Sequence, residues 1–395
     1  MPKLRIGCDP GMSDATDVAI IGGGPVGAAL AAALAGSGLD VALLEARAAE
    51  QRVSDPRPLA LSYGSRLILE RLGMWSNLGA PTAIARIHVS QQGGFGRVTL
   101  SAQEARLPAL GYVIDYERLH EVLEAALPRD ASRYLTGVKV VAIRDAGQHS
   151  VVEFTLAGIE KSLIARLVVV ADGGAIESGS AIKTVDYQQS ALTSRVCTER
   201  AHGNAAFERF TCAGPLALLP AGDGFALVWT AGHDHAQQLC ELAPAEFLAQ
   251  LQRHFGRRLG AFTTVGARAV FPLRLRCAVD IARAHMVLIG NAAQTLHPVA
   301  GQGFNLGLRD AWELAEEIRR CSRDAIGSAS MLAAYGARRR LDRGGGVWFT
   351  DSLVRLFSND IAPLKMVRGA GLALLSCLPP ARDFVVRRMI FGARG

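Results

Sequence analysis

The stretch "DVAIIGGGPVGAALAAALAGSG", residues 17–38, decides the fold. Asp17–Ile21 is a short apolar run of the kind that makes a buried strand. Glycines follow at 22, 24 and 27, then an Ala/Leu run with helical character, then a second apolar run, "VALLEAR", at 41–47. Strand, glycine turn, helix and strand make a βαβ unit. In such a unit Gly22 permits the tight turn, Gly24 lets the backbone approach a pyrophosphate, and Gly27 lets the helix pack closely on the strand. The helix starting at Pro25 and Val26 offers a positive dipole end to phosphates. Glu45, eighteen residues after Gly27 and at the end of the second strand, is placed to accept the ribose hydroxyls. With strand, helix and acid all in register, the glycine pattern specifies a dinucleotide site. The run Val18–Leu39 is uncharged and long enough on paper to span a bilayer. Its early glycines and proline favour strand, turn and helix instead.

Outward from this unit, "SRLILERLGMW" and "DYERLHEVLEAAL" read as helices. "ARIHVSQQGG" with "GRVTLSA" reads as a hairpin, and "KVVAI", "SVVEFTLA" and "ARLVVVADGG" as strands. Residues 183–272 mix strands with one helix, "PAEFLAQLQRHFG", and the chain is helical and basic after about residue 338. Nucleotide-type strands occur near the start, near 168 and near 287, so the β-rich blocks must be inserted into one nucleotide domain. The expected class is α/β: a Rossmann-like domain from 17–75, 111–183 and 272–340, an inserted β-sheet domain from 76–110 and 184–271, a helical C-terminal region at 341–395 and a loose leader at 1–16.

A third motif, "GNAAQTLHPVAGQGFNLGLRDA" at 290–311, has four glycines and a proline before its helical end. The strand "HMVLIG" delivers Gly290 and Asn291 to the sheet edge. Pro298 and the loop through Gly301, Gln302 and Gly303 then bring backbone amides to a helix start near Phe304 and Asn305. A helix start of this kind stabilises negative charge, as carried by the N1–C2=O edge of a reduced flavin, so the bare backbone suits an isoalloxazine ring. Asp172, at the end of "LVVVADGG", either faces a cofactor or caps a turn. His297, beside the ring loop, is a candidate acceptor for a phenol proton because histidine titrates near neutrality, or a simple loop hydrogen-bonder. Tyr187, Trp229 and Phe271 are candidates for lining a substrate cavity, or core aromatics of strands.

The net charge of +7 over 395 residues invites an anionic partner. Aromatics are 6% of the chain and there is no nucleic-acid module, which argues against nucleic acid. The basic residues gather among apolar ones near the C-terminus, and residues 353–394 suit a membrane surface or a partner protein. Seven scattered cysteines, Cys8 among them, without a C-x-x-C pair favour a reducing cytoplasm, no metal site, and core positions for most of them. There is no G-x-S-x-G elbow for hydrolysis.

These three motifs, in this order and spacing, resemble the flavin-dependent aromatic hydroxylases of the para-hydroxybenzoate hydroxylase type. Within them, "DPRPLALSYGSRLILERLGMW", the 290–311 motif and the tail "LFSNDIAPLKMVRGAG" resemble the ubiquinone-biosynthesis hydroxylases, the methoxyphenol-hydroxylase subgroup above all. The resemblance covers nearly the whole chain. It implies FAD as cofactor, NADH or NADPH as transient electron donor, and O2 as co-substrate. The activity it implies is hydroxylation of 2-polyprenyl-6-methoxyphenol to a 1,4-benzoquinol through a flavin C4a-hydroperoxide, in the cytoplasm or peripherally on the inner face of the membrane. Carried over, Gly22, Gly24, Gly27, Glu45 and Arg47 hold the ADP half, Arg57 lies beside the flavin, and Asp172 is shared with the nicotinamide donor. Asn291 touches the ribityl chain, and Pro298 with residues 301–305 borders the ring. Two departures stand out. Asn291 replaces the superfamily's aspartate, as in the methoxyphenol subgroup, and the Ser and Arg expected after Asp172-Gly173 appear only as displaced Ser178 and Lys183. The alternatives are a hydroxylase of a small soluble phenol, expected to have a closed pocket, and a low-activity flavoprotein scaffold in a quinone-biosynthesis assembly.

Overall fold

Strand β1 (Ala15–Ile21) is buried from Thr16 onward, as an apolar run must be when both faces of its sheet are covered. A computed structural model describes residues 15–51, 55, 57–127, 133–176, 179–357 and 362–394. Of the expected leader, residues 1–14 lie outside that range, as do Cys8 and Ser178. Ala15 and Thr16 belong to β1, where the Thr16 hydroxyl donates to the Asp40 carbonyl at 2.7 Å.

Helix α1 (Pro25–Leu34) and strand β2 (Val41–Glu45) complete the βαβ unit. Then come β3 (Pro58–Ser62), α2 (Tyr63–Arg71), β4 (Thr82–Ile84), β5 (Arg86–Gln91), β6 (Arg97–Ser101), β7 (Gly111–Asp115) and α3 (Tyr116–Ala125). The chain continues through β8 (Tyr134–Thr136), β9 (Val138–Asp145), β10 (Ser150–Leu156) and β11 (Ile159–Val170). A block of long strands follows: β12 (Ile182–Thr198), β13 (Ala205–Thr211), β14 (Gly214–Ala221) and β15 (Gly224–Gly232). Helices α4 (His233–Glu241) and α5 (Pro244–Phe255) precede β16 (Phe262–Val265) and β17 (Ala269–Ala278). Short strands β18 (Ala282–Arg283), β19 (Met286–Leu288) and β20 (Gln294–Thr295) lead to α6 (Gln302–Arg320), α7 (Ala329–Phe357), α8 (Ala362–Cys377) and α9 (Pro379–Phe391).

The first sheet runs β18-β19-β11-β1-β2-β8, with β10 and β9 added antiparallel beyond β11. Strands β19, β11, β1, β2 and β8 pair in parallel. Strand alternation divides the core. Val18 and Ile20 face α1 and α6, while Ala19 and Ile21 face the other side with Phe154 and Leu163. Chain order reverses at β1, with β2 on one side and β11 on the other, the topological switch point at which open α/β sheets bind ligands.

The second sheet runs β20-β17-β12-β15-β14-β13-β5-β6, with β16 beside β12. Its outer face packs Leu192, Leu216, Leu227 and Trp229 against Phe247, Leu251 and Phe255 of α5. Burying each of those α5 side chains is worth about 1.5–3 kcal/mol. Strands β12 and β17 run unbroken through residues 183 and 272, where domain boundaries were expected. A third sheet, β3-β7-β4, bridges the two larger ones. The inserted block holds two helices, not one. The α4 helix, "HDHAQQLCE", buries only Ala236 and Leu239, too thin an apolar stripe for periodicity to reveal. Helix α7 begins at Ala329, before the expected onset of the helical region. The six described cysteines are free thiols, three exposed and three partly buried, so the expectation that most sit in the core is corrected.

An ion cluster joins α6 to α7. Arg339 is fully buried. It donates from Nε to Asp310 Oδ1 at 2.7 Å and from Nη1 to Asp342 Oδ2 at 2.9 Å and Glu313 Oε1 at 3.2 Å. Arg309 Nε donates to the same Asp342 carboxylate at 2.8 Å. Burial opposes charge on Arg339, but the Asp310, Asp342 and Glu313 carboxylates around it prevail and raise its affinity for the proton. Replacing one member of such a cluster strands the others as buried charges, at a cost of about 3–5 kcal/mol. We predict that Arg339→Ala lowers the free energy of unfolding by that amount, seen as a fall in the denaturant midpoint at unchanged slope, and that an unchanged midpoint would show the cluster to be dispensable.

Candidate functional site

Four parallel strands end at one place. The ends of β1 (Ile21, Gly22), β2 (Leu44, Glu45) and β11 (Ala171, Asp172), and the turn after β19 (Gly290, Asn291), all line one cavity of about 1430 Å³. Small-molecule sites span roughly 300–1,000 Å³, so this cavity has room for more than one drug-sized ligand. The inner face of the second sheet, the 298–304 loop and the C-terminal helices close it.

The glycines divide their work as local sterics require. Gly22 has φ +103°, and a Cβ there would sit 2.6 Å from the Ala171 carbonyl oxygen. A Cβ at Gly27 would lie 2.0 Å from the Gly22 carbonyl oxygen. Gly24 differs: a Cβ there would meet no protein atom within 4 Å. Its open side faces the cavity, where Pro25 and Val26 also stand. Helix α1 has no side-chain cap and no acid in its first turn. Helix α6 likewise starts without a side-chain cap at Gly301, in the left-handed conformation at φ +60°, and without an acid in its first turn. Two helix N-termini without side-chain caps thus point their positive dipole ends toward one cavity. A dinucleotide bearing a flavin fits this cradle: α1 is free to take the phosphates and α6 the electron-rich edge of the ring.

Glu45 Oε2 accepts from Gly23 N at 2.5 Å and Oε1 from Arg47 N at 2.9 Å. Oε1 also takes Arg47 Nε at 3.3 Å, which leaves Oε2 with a lone pair for a ligand hydroxyl. Arg47 also reaches His120 Nε2 at 2.9 Å, and both side chains are on the cavity wall. Arg57 is paired with Asp55 and lies between the Tyr116 ring, 5.8 Å away, and the Phe271 ring, 5.1 Å away. Asp172 accepts from Gly174 N at 2.8 Å and Ile176 N at 2.6 Å, so it caps its turn while standing on the wall. Pro298, Gly301, Gly303 and Phe304 stand there as well.

Other expected site residues lie elsewhere. Gln302 begins α6 and is not on the wall. Asn305 is buried behind it. Its Oδ1 accepts from Ser62 N at 2.8 Å and Ser65 Oγ at 2.6 Å, and its Nδ2 donates to Ala60 O and Gly301 O, tying the ring loop to β3. Of the three aromatic candidates, only Phe271 lines the cavity. Trp229 is corrected by strand alternation: its neighbour Val228 faces inward with Thr193 and Ala217, so Trp229 turns outward onto Phe247 and His254. Tyr187 donates to Asp351 Oδ1 at 2.9 Å, its ring meets His297 edge-on, and it is absent from the wall. His297 is fully buried and off the wall, and its Nδ1 accepts from Val299 N at 3.2 Å. Burial pushes its imidazole down to about 4, so it stays neutral where a phenol base would have to titrate, and the catalytic reading of His297 is corrected.

Sequence reasoning missed the support behind the ring loop. Asp310 Oδ2 accepts from Gly290 N at 3.1 Å and Gln294 Nε2 at 2.7 Å. The signal was an aspartate in the stripe Leu306, Asp310, Leu314, four residues from a buried leucine on each side. It also missed the far end of the cavity, formed by Phe349 and Leu353 of α7, Leu372 and Leu375 of α8, and Val385 and Met389 of α9. On the strand wall it missed Glu208.

Residues 15–343 match the family model described as FAD binding domain. The chain is 35% identical to the ubiquinone hydroxylase UbiL of Rhodospirillum rubrum, over 98% of this chain and 92% of that protein. It is 33% identical to the 3-demethoxyubiquinol 3-hydroxylase of Escherichia coli, over 90% of this chain and 94% of that protein. Among solved structures, p-nitrophenol 4-monooxygenase PnpA from Pseudomonas putida superposes with a TM-score of 0.77 at 18% identity, covering 96% of this chain and all of that one, a likeness of fold.

Two predictions follow from this geometry. Gly24→Val should leave the stability of the flavin-free protein within about 1 kcal/mol, since the new side chain meets only open cavity, yet weaken FAD retention at least about 10-fold. Equal FAD affinity in the variant would remove Gly24 from the cradle. For His297, the folded value of about 4 lies below the ordinary 6.5. Its contribution to stability is therefore complete above pH 6.5 and is lost as pH falls through about 4. The melting temperature should fall over that window, and less steeply in His297→Asn. His88, also pushed down to about 4, should keep some slope in the variant.

Proposed function

The chain belongs to the FAD-binding-domain family and is an FAD-dependent aromatic hydroxylase; from that premise we propose that it hydroxylates a polyprenylated phenol in ubiquinone biosynthesis, using NAD(P)H and O2. The substrate we propose is 2-polyprenyl-6-methoxyphenol, oxygenated at its open para position to the 1,4-benzoquinol. The observation that carries this reading is the shape of the cavity. It passes from the phosphate turn at Gly24, along the strand face, to an apolar end between α7, α8 and α9. A small soluble phenol would leave that end empty.

FAD, once reduced by NAD(P)H, supplies the activation of O2. The chain's own residues bind, orient and keep water away. In this reading α1, Glu45 and Arg47 hold the adenosine and phosphates, and the 298–304 loop with the start of α6 holds the ring. Asn291 would stand at the ribityl chain, and Arg57, stacked on Phe271, would lie beside the flavin. Asp172 belongs to the face that the nicotinamide donor visits. Ala191, Thr193, Ala217, Leu219 and Val228 form the mostly apolar wall that positions the aromatic head and excludes water. Leu372, Leu375, Val385 and Met389 take the first isoprene units of the tail.

The same helices expose apolar side chains on their outer surface: Trp348 and Phe384 are each 70% exposed, and Met366, Val367 and Leu374 stand out beside them. Arg340 and Arg387 are exposed on these helices. No helix of the described residues is long and apolar enough to cross a membrane. An apolar surface with basic residues suits peripheral docking on an anionic bilayer, which would bring the cavity's apolar end to the lipid that holds the substrate. A partner protein of quinone biosynthesis is the other occupant of 353–394 that this chemistry allows.

Lipid extracts from a strain lacking the protein should accumulate a 2-polyprenyl-6-methoxyphenol and lose ubiquinone; normal ubiquinone with no such intermediate would contradict the reading. The holoenzyme should float with vesicles containing anionic lipid, and the Trp348→Asp, Phe384→Asp double variant should not. Equal flotation of the two would remove these helices from the membrane contact.

A further inference from the structure

The inner face of the second sheet is apolar around one carboxyl group. On β13, alternation sends Phe207 and Arg209 outward, where Phe207 packs on Phe255 and Arg209 Nε donates to the His254 carbonyl at 2.9 Å. Ala206, Glu208 and Phe210 therefore face inward and are on the cavity wall, which Phe207 between them also touches. Across the ladder, Glu208 lies opposite Ala217 of β14 and Val89 of β5. Along its strand, Ala206 packs in the cluster containing Ala60, and Phe210 in the cluster containing Val299. Ala60 and Val299 flank the ring loop, where Gly301 approaches Ala60. Glu208 thus sits on the stretch of wall between those two contacts.

Nothing in the described protein satisfies this carboxyl group. Its Oε1 is shut off from solvent and has no hydrogen-bond partner, while the residue as a whole is only half-buried because it faces the cavity. The ionisable neighbours on adjacent strands point away: Arg209 to α5, and His88 to its stack on Phe207, over which Arg258 also lies. Glu45, Arg47, Asp55, Arg57, Tyr116, His120, Lys139 and Asp172 share the cavity from other elements and Arg274 from β17 of the same sheet, and none perturbs Glu208. Burial alone pushes its carboxyl up to about 7. A buried, unpaired carboxyl is costly unless a ligand completes it, and one that titrates near neutrality suits general acid–base work.

We propose that Glu208 is the proton acceptor for the phenolic hydroxyl of the substrate, an inference that rests on the hydroxylase reading above. The phenol O–H bond breaks and a carboxyl O–H bond forms on Glu208, leaving a phenolate with more electron density at the para carbon. After oxygen is inserted into the para C–H bond, Glu208 returns the same proton to the original oxygen, giving the quinol and restoring the carboxylate. No electron passes to or from the carboxyl group.

The test uses the FAD-loaded full chain with 2-farnesyl-6-methoxyphenol, whose own hydroxyl titrates well above neutrality. Wild-type kcat should rise with pH to a plateau, with a midpoint near 7. Glu208→Gln should lose about 100-fold in kcat and show no such rise, with its bound-flavin spectrum intact, and Glu208→Asp should recover part of both rate and pH dependence. Wild-type rate and profile in Glu208→Gln would overturn the proposal. If the wild type binds the probe without hydroxylating it, the hydroxylase reading fails on its own, and affinity for the probe then decides the role of Glu208. The dissociation constant, followed by flavin absorbance, should change about 10-fold through pH 7 in the wild type and not in Glu208→Gln. A wild type that binds with a pH-independent constant, or does not bind at all, overturns the proposal.

Discussion

The carboxylate of Asp310 holds the site together. One oxygen is fixed by Arg339, and the other takes the Gly290 amide and the Gln294 side chain. Arg343 reinforces the arrangement, donating from Nε to Gln294 Oε1 at 2.9 Å. The turn after β19 is thereby fixed to α6 and α7 at once. Gly290 adopts φ +59°, and Gly307 of α6 comes so near that a Cβ there would lie 2.9 Å from Val26 and 3.2 Å from the Gly290 Cα. Helix α6 and the 290 turn therefore meet backbone to backbone, with the Val26 side chain of α1 packed against both. That contact sets the spacing between the two open helix N-termini. A charge-assisted contact buried this deeply gains strength from the low dielectric around it, provided every partner stays in place.

The cavity is polar at the strand ends and apolar between the C-terminal helices. Glu45, Arg47, His120 and Asp172 gather at the strand ends. The sheet face that follows offers Ala191, Ala217, Leu219 and Val228, and the wall beyond is made of apolar side chains from α7, α8 and α9. These helices are tied to the flavin side: Ser62 Oγ donates to the Ile390 carbonyl at 3.0 Å, and Gly64 lets α9 approach so closely that a Cβ there would lie 2.4 Å from that same oxygen. The C-terminal region is thus part of the site, and its fit over β3 and α2 determines how the apolar end is closed.

Much of this was legible in the sequence because it is local. The turn at Gly22–Gly27 and the acid at Glu45 follow from backbone sterics and spacing, and the parallel strands follow from apolar runs. The resemblance supplied the flavin and the class of reaction. What could not be read was which way strand side chains point. Trp229 looked like a cavity aromatic, but its register against Leu192 and Leu216 sends it to the opposite face. Glu208 drew no reading at all, because the register that turns it to the cavity is not written in its neighbours. His297 stands next to the ring loop in sequence, yet the fold buries it against Tyr187. The partners of Asp310 lie as far as 29 residues away on another helix, beyond any local pattern.

The central claim is that one cavity holds a flavin at its polar end and a prenylated phenol along its apolar end, in position for oxygen transfer. The most direct measurement is a single-turnover reaction of the purified holoenzyme with NADPH, 18O2 and 2-farnesyl-6-methoxyphenol, followed by mass spectrometry of the lipid product. The account predicts one 18O atom in the resulting benzoquinol. Consumption of NADPH with only hydrogen peroxide formed and the phenol recovered unlabelled would contradict it.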